Sequence, residues 1–164
     1  MDKSVVADFK IPFKEDEEFW FKFDSKNWSF TRFFSIFSNN EEQKKYQTSA
    51  DIHLDVRSQR GGFWTSTGDL IIEKVKLKKN NISMFNPEPM KIKIKNGKIN
   101  SSNFKLVGNN SYIEFIADGL TKNNLNSHLK GQMKMTLLNI LTPLQDLGGD
   151  LNFNLNFSGS VDNP

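Results

Sequence analysis

The residues best suited to chemistry are few and scattered. His53 and His128 are the two histidines, far apart and without companions at metal-ligand spacing. A metal site needs that spacing, and a general base needs a nucleophile within reach. Each histidine therefore reads as a surface or strand residue. Glu15-Asp16-Glu17-Glu18 is an acidic run that would suit a cation, or equally a solvated loop ahead of a strand. Cysteine is absent, which excludes disulfides, thiolate zinc sites and a cysteine nucleophile. Gly-x-Ser-x-Gly and Gly-rich phosphate loops are absent too. These features predict a protein that is not an enzyme and takes no cofactor and no metal.

Binding chemistry is better represented. Lys91, Lys93, Lys95 and Lys98 form a basic stripe. It could contact phosphate headgroups or an acidic partner, or be a solvated outer face whose charges blunt sheet edges. The net charge is only +3 and the basic residues are spread along the chain, so nucleic acid is not an expected partner. Phenylalanine is over-used, with 15 Phe against 2 Tyr and 3 Trp. Phe carries no polar handle, so its surface must be covered by a core or by an apolar ligand. Trp20 and Trp28, beside the Phe cluster, could mark a docking patch or a small satellite core.

The elements that position these residues have a period of two. Val5, Ala7, Phe9, Ile11 and Phe13 share one parity. Ile52, Leu54 and Val56 alternate with His53, Asp55 and Arg57. Met90, Ile92 and Ile94 alternate with the lysines, and Leu151, Phe153, Leu155 and Phe157 alternate with asparagine and serine. Such alternation makes strands with one dry and one wet face, as in an antiparallel sheet covered on one side. Asn96-Gly97 predicts a two-residue type I′ hairpin. Asn80-Asn81, Asn109-Asn110, Asn123-Asn124 and Gly61-Gly62 are further turn candidates, giving a meander of about nine or ten strands. Phe30, Phe33, Phe34 and Phe37 follow helical spacing, although Phe34 and Ile36 would equally alternate in a strand; the apolar residues of 137–147 also recur at helical spacing, where Thr142-Pro143 resembles a helix start and Gly148-Gly149 a stop. No apolar run approaches the ~20 residues that span a bilayer, and no signal peptide opens the sequence. An export signal or anchor is expected outside this chain.

From about Leu70 the order of these features resembles a known family. An Ile72…Val75-Lys-Leu77 strand is followed by Phe85-Asn86-Pro87-Glu88-Pro89-Met90, Ile92, Ile94 and Asn96-Gly97. Then come Phe104-Lys-Leu106-Val-Gly108, Leu129-Lys-Gly131, Met133, the Leu-rich 137–147 step and Gly149. Leu151-Asn-Phe-Asn-Leu-Asn-Phe-Ser-Gly159 and Pro164 close it. This is similar to the repeated C-terminal-type segment of TamB/AsmA-like proteins of the translocation and assembly module. The resemblance covers residues 70–164; within 1–69, Val5 to Phe13 resembles a family strand only in its alternation, and the Phe-rich 19–37 has no counterpart.

The resemblance implies a fold and a role. The fold would be an all-β, elongated antiparallel meander curled into a U-shaped groove, the β-taco, with one or two short helices. Residues 1–164 would form one groove segment excised from a longer chain. That chain would sit in the periplasm of a Gram-negative bacterium, anchored to the inner membrane. Its groove would conduct phospholipid between the inner and outer membranes and support outer-membrane biogenesis. Implied partners are phospholipid, neighbouring segments of the same long chain and an outer-membrane barrel of the BamA/TamA-like type. The groove lining is expected from Ile52, Leu54, Val56, Ile72, Val75, Leu77, Met90, Ile92, Ile94, Phe104, Leu106, Ile113, Phe115, Met133, Met135, Leu151, Phe153, Leu155 and Phe157. Lys91, Lys93, Lys95 and Lys98 would meet headgroups or a partner. The alternative is a structural or adhesive β-sandwich repeat whose same apolar residues form a closed core.

Overall fold

The computed structural model describes residues 4–11, 14, 17–31, 46–58, 63–101, 103–117, 119–135 and 148–160. They are almost entirely β. The strands are β1 (Ser4–Lys10), β2 (Phe19–Trp28), β3 (Tyr46–Ser58), β4 (Thr67–Lys79), β5 (Ile82–Phe85) and β6 (Met90–Lys95). They continue with β7 (Lys98–Ser101), β8 (Phe104–Gly108), β9 (Ser111–Ala117), β10 (Ser127–Lys134) and β11 (Asp150–Phe157). One 3₁₀ turn, Phe63–Thr65, sits between β3 and β4. Of the two helical segments expected, 137–147 and all but the first residues of 30–37 lie outside the described residues.

The eleven strands make one open antiparallel sheet in the order β1-β2-β3-β4-β5-β8-β9-β10-β11. β6 and β7 branch from the other half of β4. The branching is simpler than it sounds. β5 and β6 lie end to end along β4, pairing with Lys76–Lys79 and Gly68–Ile72 respectively. β8 pairs with β5 and β7 with β6, so β7 and β8 form the next broken strand. Counted by position across the sheet, the meander has nine strands, two of them interrupted.

The turns follow from asparagine. Lys95 faces Lys98 across Asn96-Gly97, both at positive φ (49° and 72°), the type I′ geometry. Asn109-Asn110 does the same between Gly108 and Ser111, with φ of 49° and 55°. Asn80-Asn81 joins Lys79 to Ile82. The fourth turn falls one residue earlier than the Asn123-Asn124 pair suggests, because Thr121 and Asn124 bond each other across it. Gly61-Gly62 lies outside the described residues.

Irregularities line up in a row across the sheet. β2 is bulged between Ser25 and Trp28, and β4 gains an extra residue opposite the Asp51/Ile52 step. The β5–β6 interruption at 86–89 is next along the row. Each strand kinks where a residue is added or the ladder is broken. The loose backbone groups are met by side chains. Ser25 Oγ accepts from Ile52 N–H at 3.2 Å, and Asp51 Oδ1 accepts from Asn27 N–H at 2.5 Å. Asn86, buried, accepts from Val75 N–H at 2.5 Å and donates to Glu73 and Glu88 carbonyls at 3.1 and 2.9 Å. Here the Pro87 and Pro89 nitrogens have no hydrogen to donate to β4, and Asn86 takes their place.

Candidate functional site

Residues paired in register lie on the same face of a sheet, so the pairing assigns every strand residue to a face. Phe21 pairs with Val56 and Phe23 with Leu54. Leu54 continues to Leu70, Ile52 to Ile72, Ala50 to Val75 and Thr48 to Leu77. From β4 the row runs through Ile72–Met90, Leu70–Ile92 and Gly68–Ile94, and through Leu77–Met84. Phe104–Phe115 and Leu106–Ile113 carry it across β8 and β9. Leu129–Leu155, Gly131–Phe153, Met133–Leu151 and Ser127–Phe157 take it to the far edge. All the expected lining residues on strands therefore share one face, and Met135 keeps the same parity just past β10.

The parity change within β4 explains how Ile72 and Val75 can both belong to it. Leu70 and Ile72 are even, Val75 and Leu77 odd, and the bulge at Glu73 absorbs the difference.

Sequence reasoning found the alternation of β1 but left β1 and β2 out of the expected lining. Val5, Ala7 and Phe9 pair with Ser25, Phe23 and Phe21 on the apolar face. Phe19-x-Phe21-x-Phe23 carried the alternating signal, but the Phe-rich run that follows obscured it. Trp20 and Trp28, expected together as one patch, are separated. Trp28 pairs with Ala50 on the apolar face and its ring meets Phe23 edge-on at 5.6 Å, whereas Trp20 pairs with Arg57 on the other face.

The sheet curls toward its apolar face. Tyr46 of β3, Met84 of β5 and Met133 of β10 form one buried cluster, with Leu77, Ile82, Leu106, Ile113 and Phe153 packed on it. Flat strands spaced ~4.8 Å apart would hold β3 and β10 roughly 24 Å apart. Gathering residues from β3, β5 and β10 into one cluster requires a bent sheet. Gly131 helps: a Cβ there would lie 2.5 Å from the Phe153 ring, so the absent side chain makes room for it.

The apolar face is nonetheless far from sealed. Val5, Phe9 and Ile11 at one edge and Leu151, Leu155 and Phe157 at the other are exposed. Among the described residues every strand belongs to this one sheet, so no second sheet covers it.

The opposite face is mainly polar, with Trp20, Ile71, Phe85 and Val107 among its apolar exceptions. Lys91, Lys93, Lys95 and Lys98 all fall on it and are exposed, with Lys93 opposite Asp69 and Lys95 opposite Lys98. Lys76 and Lys78 of β4 extend the stripe. Both histidines act there as cross-strand fasteners. His53 Nδ1 lies 2.5 Å from Asp24 Oδ1, and His128 Nδ1 lies 2.5 Å from Asn156 Oδ1. Asp55 receives Lys22 Nζ at 3.5 Å and Arg57 Nε at 3.3 Å. Partial burial pushes its carboxyl pKa up, but the Arg57 hydrogen bond and the Lys22 and Arg57 charges outweigh this and hold it below the ordinary value. Apart from Arg57–Asp55 within β3, these contacts link neighbouring strands. They do not assemble a nucleophile, a base and an oxyanion donor.

No family model matches the chain, and neither a curated protein nor a solved structure does.

Proposed function

We propose that the apolar face holds the acyl chains of phospholipid, and that the chain is a groove segment of a periplasmic lipid-transport protein that does no covalent chemistry. In a longer parent anchored to the inner membrane, neighbouring segments would extend the groove toward an outer-membrane barrel partner. The observation that carries this reading is a single curled sheet whose inner face is mainly apolar from edge to edge, interrupted by Ser25, Thr48, Ser58 and Lys79, and has no second layer among the described residues. A sandwich repeat would need that second layer.

The physical case is one of continuity. An acyl chain gains about 0.8 kcal/mol per CH₂ removed from water. Rows of Leu, Ile, Met and Phe at strand spacing offer that gain without one deep well, so a chain can slide as well as bind. Met90 and Met135, outside the buried cluster, adapt to irregular contacts. The lysines on the polar face play no part in holding the tails.

The test is extraction of the protein purified from a Gram-negative host, followed by mass spectrometry of the extract. Phospholipid is expected in proportion to protein. The delipidated protein is then expected to accelerate transfer of a fluorescent phospholipid between vesicles. A lipid-free extract together with an unchanged transfer rate would overturn the proposal.

A further inference from the structure

The two ends of the sheet are guarded differently. A free edge strand is a template for pairing with another strand, and proteins usually blunt it with charge, proline or a covering segment. β1 carries Asp8 and Lys10. β11 carries no charge from Leu151 through Phe157, only apolar residues on one face and asparagine on the other. Its outer side is unpaired among the described residues. Leu151, Leu155 and Phe157 are 37, 48 and 46% exposed.

We propose that this edge pairs with β11 of a second copy of the chain, antiparallel and centred on Asn154, giving a closed two-fold dimer. Geometry narrows the choice. All pairings are antiparallel over nine positions, so β1 and β11 run in the same direction. Two arrangements keep the apolar faces of both copies on one side. One is β11 against β11, antiparallel, about a two-fold axis perpendicular to the sheet. The other is β11 against β1, parallel, by translation. Antiparallel ladders are the more stable per residue, and the two-fold closes where translation grows without end.

The pattern of β11 suits the two-fold. With Asn154 on the axis, Leu151 faces Phe157 and Phe153 faces Leu155. Asn152 faces Asn156, and no charge opposes a like charge along the seven residues. Facing asparagines add side-chain hydrogen bonds of the kind that stabilise stacked strands. The dimer joins two apolar faces into one. The dimer uses the edge that a neighbouring segment of a longer parent would use, so the two are alternatives at β11.

Sedimentation velocity on the full chain, from micromolar to hundreds of micromolar, tests it. The mass is expected to double from 18.9 kDa with concentration and to stop there. Asn154→Glu places a carboxylate opposite Lys130 within the chain, which favours folding, and opposite its own copy across the axis. It is expected to weaken association by about tenfold or more, equivalent to ~1.4 kcal/mol. Val6→Lys on exposed β1 is expected to leave it unchanged. Since the chain has no cysteine, Asn154→Cys is expected to cross-link to itself under mild oxidation about tenfold faster than Asn152→Cys, within the short Cα range a disulfide tolerates. A monomer at all concentrations would overturn the proposal. So would growth beyond the dimer blocked by Val6→Lys, or equal cross-linking at the two positions.

Discussion

The centre of the sheet and its two edges are written in the same alphabet, yet they have opposite fates. β1 and β11 alternate apolar and polar residues as cleanly as β3 does. Every residue of β1 is exposed, and in β11 all but Phe153 are. In β3 the same alternation ends in Tyr46, Thr48, Ala50, Val56 and Ser58, all buried. The difference is neighbours. A central strand has a partner on each side and the curl of the sheet above it, whereas an edge strand has one partner and no curl. Alternation assigns a face, and position in the sheet assigns depth.

The largest test of this contrast is at the row of kinks. Asn86→Leu keeps the volume and removes the side-chain acceptor for Val75 N–H and the donors to Glu73 and Glu88. An unsatisfied buried group costs about 1–3 kcal/mol, so a loss of roughly 3 kcal/mol or more is expected. Urea unfolding measures it, as a lower midpoint with unchanged slope. A loss below about 1 kcal/mol would mean that strand pairing alone holds the kinked row, against the ledger of Asn86 contacts.

Next comes packing. Met133→Ala empties part of the buried cluster with Tyr46 and Met84 and is expected to cost about 2–4 kcal/mol. Leu155→Ala removes a side chain that is already 48% exposed, and less than about 1 kcal/mol is expected at dilute concentration. Thermal unfolding of the pair decides whether depth, and not residue type, sets the cost. Equal losses would abolish the distinction between centre and edge.

The polar face should respond more weakly. Lys98→Glu turns the Lys95–Lys98 like-charge pair across the hairpin into an attractive one. A gain of about 0.2–1 kcal/mol is expected, shrinking in high salt as screening shortens the range of the charges. A destabilised variant would show that Lys98 serves the fold through its stem and not its charge.

Much of this was legible from residues alone. Face assignment was, because the period of two is unambiguous in Ile52-x-Leu54-x-Val56 and in Met90-x-Ile92-x-Ile94. The type I′ turns were, because Asn-Gly and Asn-Asn tolerate positive φ. The row of kinks left a trace that is clear only with the register known. Leu70 and Ile72 change parity to Val75 and Leu77, and a parity change inside one strand means one extra residue. Depth left no trace, since it depends on which strands end up outermost. Nor did the curl, which arises from bulges and from Gly131 yielding space to Phe153. The role of Phe21 and Phe23 was hidden because an alternating Phe run and a helical Phe run adjoin.

The smallest effect expected is on pH dependence, and its sign follows from Asp55. Its folded pKa lies below the ordinary carboxylate value, because Arg57 and Lys22 together outweigh the opposing effect of burial. The folded state therefore holds its proton less tightly than the unfolded state, whose pKa is about 3.9. The ion pair contributes fully above that value. The contribution is lost as pH falls through the lower, folded value. The carboxylate remains partly open to water, so the amount is expected to be a few tenths of a kcal/mol, in line with exposed ion pairs. Melting temperatures from neutral pH to below about pH 4, for the parent chain and Asp55→Asn, measure it. The two profiles are expected to converge at the acid end, with the parent slightly ahead above it. Parallel profiles would mean that the Lys22–Asp55–Arg57 contacts add nothing to stability, leaving the polar face a solvated surface and the kinked row and buried cluster as the source of cohesion.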